Sequence, residues 1–554
     1  MTGRRPLVVG LDAFAGIGLR ASVWLWGLMA VGAVFLTTLG NDEAWVLNGL
    51  KSYLTPPVPA LSSEPVSTSG GLFALVNLAI EYAFGSRVWA HRLFSLACLF
   101  ALVGLASWQG RARRQQARLD YIAIAPLLAV PGTAEVGTAA IGTSTGVTLL
   151  VLASWFWSGS QAPRSGRIVL CGILFGLSAS SRFDLVLFAP ALLLAASVSL
   201  PERSGFRLRI PWAALWVVAI GLALFVASQM LMKAAAHPIV MARLNVQETM
   251  AVTGLSTSFI DYPRLLNRVL IGTGFGIPAI LILGSVAAFW DPPSDREPKS
   301  TGKRRFLALI LAMAWVLWLG WVLRAPIPHL RYLWPSLALF GILGGAGLSQ
   351  IHHGYSLRGE SWRMAACKLI ALVLVLGGAA GTFRSLVVGE SDYLSWEWSR
   401  EMGVDYFRRF QHAKDQHAAI AYLRNEIPKD ATVLAYIPFS LRYLGERPVI
   451  NTDDPVFIPH VSGRRTFLVL TPMVGTYLYL PPETFAWIET HARLKAEFGR
   501  YSLYELPDGP PEDATVLRVA RTNYEHHPQS RPWFGRSPGR EGAVTGQAAS
   551  AAKR

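Results

Sequence analysis

Apolar residues fall in long blocks along this chain, and short polar stretches punctuate them. Runs near the length that crosses a bilayer as a helix occupy 14–39, 88–108, 120–139, 140–158, 168–181, 183–200, 211–232, 269–290, 306–323, 332–351 and 366–387. The pattern predicts a polytopic α-helical membrane protein with about 11 transmembrane helices. The first run is too long for a signal peptide and lacks an A-x-A-like cleavage site, so it reads as an uncleaved helix. Between the first two runs lies a long loop, 40–88. Within it Val46, Leu47, Leu50 and Leu54 recur at helical spacing and predict a short interfacial helix. Pro56, Pro57, Pro59 and Pro65 then break regular structure. Residues 71–84 are apolar but too few to span, which predicts a second interfacial or re-entrant helix.

After residue 389 the pattern changes. Helical spacing over 405–426, strand-like runs at 432–436 and 466–470, a helix over 482–494 and a last strand at 501–506 predict a small α/β domain. The expected division is a membrane module 1–389, an extracytoplasmic α/β domain 390–506 and a disordered, Pro-, Gly-, Arg- and Ser-rich tail 507–554.

Composition sharpens this picture. Apolar residues make up 52% and charged ones 16%, with a mean hydropathy of +0.36, which excludes a plain soluble enzyme. A formal charge of +16 invites a nucleic-acid reading, but its placement argues otherwise. Arg111, Arg113, Arg114 and Arg118, then Arg203, Arg207 and Arg209, then Lys303, Arg304 and Arg305 fill alternate loops. That is the positive-inside pattern, and it puts the N-terminus in the cytoplasm and the C-terminal domain outside a plasma or inner membrane. Cys98, Cys171 and Cys367 all lie in apolar runs, so the polar C-terminal region offers neither a disulfide framework nor a zinc site.

Candidate chemistry gathers on the predicted outer side. Asp42 and Glu43 follow the first run directly. They suit the cap and first turn of a helix, or a general base with a neighbour that positions the acceptor or holds a metal; both readings stand. Arg92, Arg182 and Arg331 are isolated outward arginines, each suited to a phosphate or to snorkelling toward headgroups. Asp184 adds a carboxylate beside Arg182, either as a compact polar turn or as chemistry. Glu135 is a weaker candidate of that kind. His237, His329 and the pair His352-His353 have no metal-ligand spacing, and no P-loop sequence is present.

Several of these stretches resemble the GT-C glycosyltransferases, in the branch of protein mannosyltransferases and aminoarabinose transferases. The likeness rests on Gly40-Asn41-Asp42-Glu43-Ala44, Phe84-Gly85 with Ala90-His91-Arg92-Leu93-Phe94-Ser95, Gly176 to Asp184, and Leu330-Arg331-Tyr332-Leu333-Trp334-Pro335. Residues 419–431 with 444–450 are similar to the opening of the family's extracytoplasmic domain. The chain departs from many relatives at Ser63-Glu64-Pro65, where they carry a basic-Pro-Pro segment. The resemblance implies a hexosyl- or pentosyltransferase that takes sugar from a polyprenyl-phosphate donor to a glycan, lipid or protein acceptor, with inversion. Asp42 would be the base and Glu43 its neighbour, orienting the acceptor or holding a divalent cation such as Mg or Mn. Arg331 with Tyr332 in its motif, and Arg92 or Arg182, would bind the lipid phosphate. The rival readings are a transporter or flippase of envelope glycan precursors and a membrane scaffold. A transporter predicts matching halves and charges deep in the spans; here the halves differ and the charges gather on one side.

Overall fold

The computed structural model describes residues 4–36, 39, 41–54, 70–110, 119–130, 132–159, 165–199, 207–208, 211–235, 284, 301–324, 330–388, 412–435, 439–445, 447, 449–451, 465–470, 482–499 and 501–507. They form two compact units. The predicted run 269–290 lies outside the described residues apart from Gly284.

The first unit is a helical bundle. Its elements are α1 (Arg4–Leu36), α3 (Gly71–Phe84), α4 (Val88–Gly110), α5 (Tyr121–Ala129), α6 (Thr133–Thr138), α7 (Thr143–Ser158), α8 (Ser165–Ser181), a 3-10 helix (Phe183–Leu187), α9 (Phe188–Ser197), α10 (Trp212–Ala235), α11 (Thr301–Arg324), α12 (Leu330–Leu357) and α13 (Ser361–Val388). A two-stranded ribbon, β1 (Val198–Ser199) with β2 (Arg207–Leu208), follows α9. Among the described residues, four helical stretches are long and apolar enough to cross a membrane: Gly10–Leu36, Val88–Trp108, Trp212–Met232 and Ser361–Phe383. Leu28, Trp216, Leu231 and Val373 stand exposed on them, as lipid-facing residues do. The protein is a membrane protein.

One expected span is not continuous. The run 120–139 is divided between α5 and α6, with Gly132 in the left-handed region at φ 73° between them. Nine residues of α5 rise about 13.5 Å, under half of the ~30 Å hydrocarbon thickness. The run is apolar because α5 is enclosed on every side, with Ile122 through Leu128 all buried. Its enclosure depends on close backbone approach. A Cβ on Gly341 or Gly345 of α12 would meet the α5 backbone at Leu127 and Ala123, and one on Gly378 of α13 would meet the Leu128 carbonyl. The two α12 glycines are four residues apart, the small-residue spacing of close membrane helix pairs.

Polar contacts tie each end of the bundle. At one end Lys368 of α13 bridges to Asp12 of α1 at 2.7 Å, Ser349 of α12 donates to Asp120, and Asp120 caps α5 through the Ile122 and Ala123 amides. His352 and His353 are half-buried in α12 at this end. The other end carries the predicted outer turns. There the Gly70 amide donates to the Ser180 carbonyl, Gly71 to Ser228 Oγ, Ser144 Oγ to the Ser95 carbonyl and Trp334 Nε1 to Thr133 Oγ1.

The second unit holds α2 (Asn41–Leu54) with α14 (His412–Asn425), β3 (Thr432–Ala435), α15 (Phe439–Gly445), β4 (Ile450–Asn451), β5 (Thr466–Leu470), α16 (Pro482–His491), β6 (Arg493–Phe498) and β7 (Tyr501–Leu506). The sheet order is β4-β3-β5-β7-β6; β3 runs parallel to β4 and β5, while β7 is antiparallel to β5 and β6. Alternation along β3 sends Val433 and Ala435 into a core with Ile420, Leu423 and Phe467, and sends Leu434 to the opposite face with Leu468, Trp487 and Ile488. β5, covered on both faces, is buried throughout. The predicted helix 482–494 stops at His491 because Arg493–Phe498 alternates charged and apolar residues and pairs with β7. Helix α2 forms as its periodicity predicts, but packs on α15 with Leu47 and Leu50 buried and Lys51 Nζ 5.6 Å from the Tyr443 ring centroid. Leu47 and Leu50 are therefore spent on protein contact, while Leu54 stays exposed.

Candidate functional site: the arginine end of the helical bundle

Arg182 sits where α8 stops. Its backbone leaves the helix at φ −154° and ψ 116°, and the chain turns at once into the 3-10 helix. Arg182 Nε lies 2.8 and 2.9 Å from the two Asp184 carboxylate oxygens, and Nη1 donates to Thr143 Oγ1 at the start of α7. The arginine is nearly buried while Asp184 remains about a third exposed. Gly142 makes this meeting possible. It has φ 77°, and a Cβ there would stand 2.5 Å from the Ser181 carbonyl. Only a residue without a Cβ lets α7 begin against the end of α8.

Arg92 is buried in the first turn and a half of α4. Its Nη1 lies 3.5 and 3.4 Å from the Ala33 and Val34 carbonyls, in the last turn of α1. A cation at those carbonyls offsets the negative end of the helix dipole. The residue before it, His91, reaches the other way. His91 Nδ1 is 2.8 Å from Asn77 Oδ1 and Nε2 is 3.2 Å from Glu81 Oε2, both on α3. Asn77, Glu81 and Phe73 share the inward face of α3 at four-residue spacing, while Leu75 and Tyr82 face outward. The sequence reading of 71–84 as a short helix leaves out this polar stripe. Its signal was present: an Asn and a Glu at i and i+4 in an otherwise apolar helix.

The remaining candidates are placed as follows. Arg331 and Tyr332 lie in the first turn of α12, and Asp42 in the first turn of α2; their side chains fall outside the described residues. Glu43, also in the first turn of α2, is buried at 2% exposure. Glu135 is buried within α6. The structure thus brings Arg182, Asp184 and Thr143 together, and ties Arg92 to α1. Among the described residues, no group of three or more His, Cys, Asp or Glu could hold a metal ion.

No family model matches the sequence, and no curated protein matches it. Solved structures do resemble the fold. ArnT from Cupriavidus metallidurans bound to undecaprenyl phosphate superposes with a TM-score of 0.55 at 16% identity, over 90% of this chain and 99% of that one. The apo form of the same protein gives a TM-score of 0.52 at 15% identity over the same shares. The protein therefore has the fold of these ArnT structures.

Proposed function

We propose that the protein is a glycosyltransferase that moves a sugar from a polyprenyl-phosphate donor to an acceptor on the outer face of the plasma or inner membrane. The observation that carries the reading is a fold likeness to ArnT, a protein solved with undecaprenyl phosphate bound, over 90% of this chain. It is supported by the sequence order of the acid pair and the outward arginines. In this reading residues 1–389 form the membrane module and 390–506 an extracytoplasmic α/β domain onto which α2 packs. The N-terminus is cytoplasmic.

Asp42 takes the proton from an acceptor hydroxyl as its oxygen attacks the anomeric carbon. The bond from that carbon to the phosphate oxygen breaks, polyprenyl phosphate departs, and the anomeric centre inverts. The leaving phosphate is already anionic and requires no acid. Arg331 and Tyr332, with Arg92 or Arg182, stabilise the charge that builds on it. Glu43 orients the acceptor, and Asp184 holds Arg182 by the contact described above.

The test compares lipid-linked sugars and envelope glycans in cells carrying wild-type protein, Asp42→Asn protein or none. Accumulation of one prenyl-phosphate sugar in both the variant and the null supports the reading and identifies the donor. A variant indistinguishable from wild type, beside a null with a phenotype, removes Asp42 from the mechanism.

A further inference from the structure

We infer that the second, sheet-containing unit carries the proposed base: Tyr443 of α15 is a positioning residue that fixes α2, and with it Asp42 and Glu43. The inference deepens the transferase reading and rests on it for the role of Asp42. The contacts that hold α2 stand apart from that reading.

Helix α2 is too short to persist alone. It has 14 residues with Gly49 in its interior, and helices of that length are marginal in water without packing. Its burial supplies what its length lacks. Ala44 is fully buried, Leu47 and Leu50 are 1% exposed, and Asn48 is 8% exposed. Positions 44, 47, 48 and 51 follow at three- and four-residue spacing and share a face. Lys51 marks what that face meets. Its ammonium stands 5.6 Å from the centroid of the Tyr443 ring, within reach of the ring's negative face.

Helix α15 in turn is rooted in the sheet. Leu441 lies in the core with Ile420, Leu423, Val433 and Phe467, and Leu444, one turn on, packs against that core. Tyr443 falls on the other side of this short helix, two residues from Leu441, and is fully buried. One side of α15 therefore grips the sheet core while the other receives α2. Asp42 and Glu43 lie in the first turn of α2 and Lys51 in its last. The helix is continuous between them, so a displacement at Tyr443 reaches the acid pair along its axis.

Full-length protein in lipid nanodiscs is compared as wild type, Tyr443→Ala and Ile488→Ala. Ile488 is the control, because it is fully buried with Leu434 and Leu468 on the face of the sheet opposite Leu441. Its truncation loosens the unit from the side away from α15. Amide hydrogen exchange across α2, read by mass spectrometry, should quicken about tenfold or more in Tyr443→Ala and by less than about twofold in Ile488→Ala. Turnover should fall about tenfold to a hundredfold in Tyr443→Ala, the effect of slight misplacement, with undecaprenyl phosphate binding unchanged. In Ile488→Ala it should stay within about twofold of wild type. Unchanged α2 exchange in Tyr443→Ala overturns the inference. Equal losses of turnover in the two variants overturn it too, since general loosening then accounts for both. So does a loss of undecaprenyl phosphate binding as large as the loss of turnover. If Tyr443→Ala does not fold, Lys51→Ala is read against the same outcomes, with exchange across α2 expected to quicken about threefold to tenfold. Should the cellular test above find no transfer, the transferase reading fails, while α2 exchange still decides whether the sheet-containing unit holds this helix.

Discussion

Replacing Gly142 by alanine should separate two costs at the Arg182 corner. The first is conformational: φ is 77°, and an L-residue held in the left-handed region loses about 1–2 kcal/mol. The second is steric. The added methyl would sit 2.5 Å from the Ser181 carbonyl oxygen and 3.5 Å from Phe73 Cγ. A backbone carbonyl cannot rotate aside as a side chain can, so the ends of α7 and α8 must part, at about 1–3 kcal/mol of overpacking. Together Gly142→Ala should cost about 2–5 kcal/mol. It should also draw Thr143 away from Arg182. Gly359→Ala is the control, since Gly359 has φ 67° but nothing within 4 Å of a Cβ. That variant should lose only the conformational part. Denaturant unfolding of both proteins in the same detergent, followed by tryptophan fluorescence, measures the difference. Equal losses in the two variants would refute the close contact between α7 and α8.

Two further predictions concern the sheet-containing unit. Arg447 Nη1 donates to the Leu423 and Ile427 carbonyls at 2.8 and 3.2 Å, and Nη2 to those of Pro428 and Ala431 at 2.9 and 3.2 Å. Arg447→Ala strips these acceptors and should cost about 2–4 kcal/mol; Arg447→Lys should not restore it, lacking the fork. Thermal unfolding checks both, and full rescue by lysine would refute the geometric account. Glu505 is held at about 2 chiefly by its hydrogen bond from Arg465, then by that from Lys495. Because its folded pKa lies below the ordinary value of about 4.3, its stabilisation is present above pH ~5 and fades as pH falls toward about 2. Exposure keeps the contribution under about 1 kcal/mol. Wild-type and Glu505→Gln stabilities should therefore differ above pH ~5 and converge near pH 2; a difference constant with pH would refute the linkage.

Much of the architecture is legible in the chain because water and lipid enforce it residue by residue. Helices α1, α4, α10 and α13 follow from apolar length, and β3, β5 and β7 from short runs of β-branched and aromatic residues. Alternating basic loops predict an orientation. The misreadings have physical causes. Residues 120–139 look like a span because hydropathy cannot tell a helix facing lipid from α5, which is enclosed by protein. Residues 493–498 look like the end of a helix because an edge strand carries exposed charge. Asn77 and Glu81 pass unnoticed because a single polar residue in an apolar run has no partner until another helix supplies one.

The sequence by itself determined where the long apolar helices lie, where the candidate acids and arginines occur along the chain, and the motifs that resemble a GT-C transferase. Only the tertiary structure decided that Arg182 meets Thr143 and Asp184, that Arg92 caps α1, and that α2 packs against α15. Burial of apolar length is a local property of each segment. A hydrogen bond between helices instead depends on where two distant backbones come to lie, which here turns on close approach at Gly142, Gly341, Gly345 and Gly378.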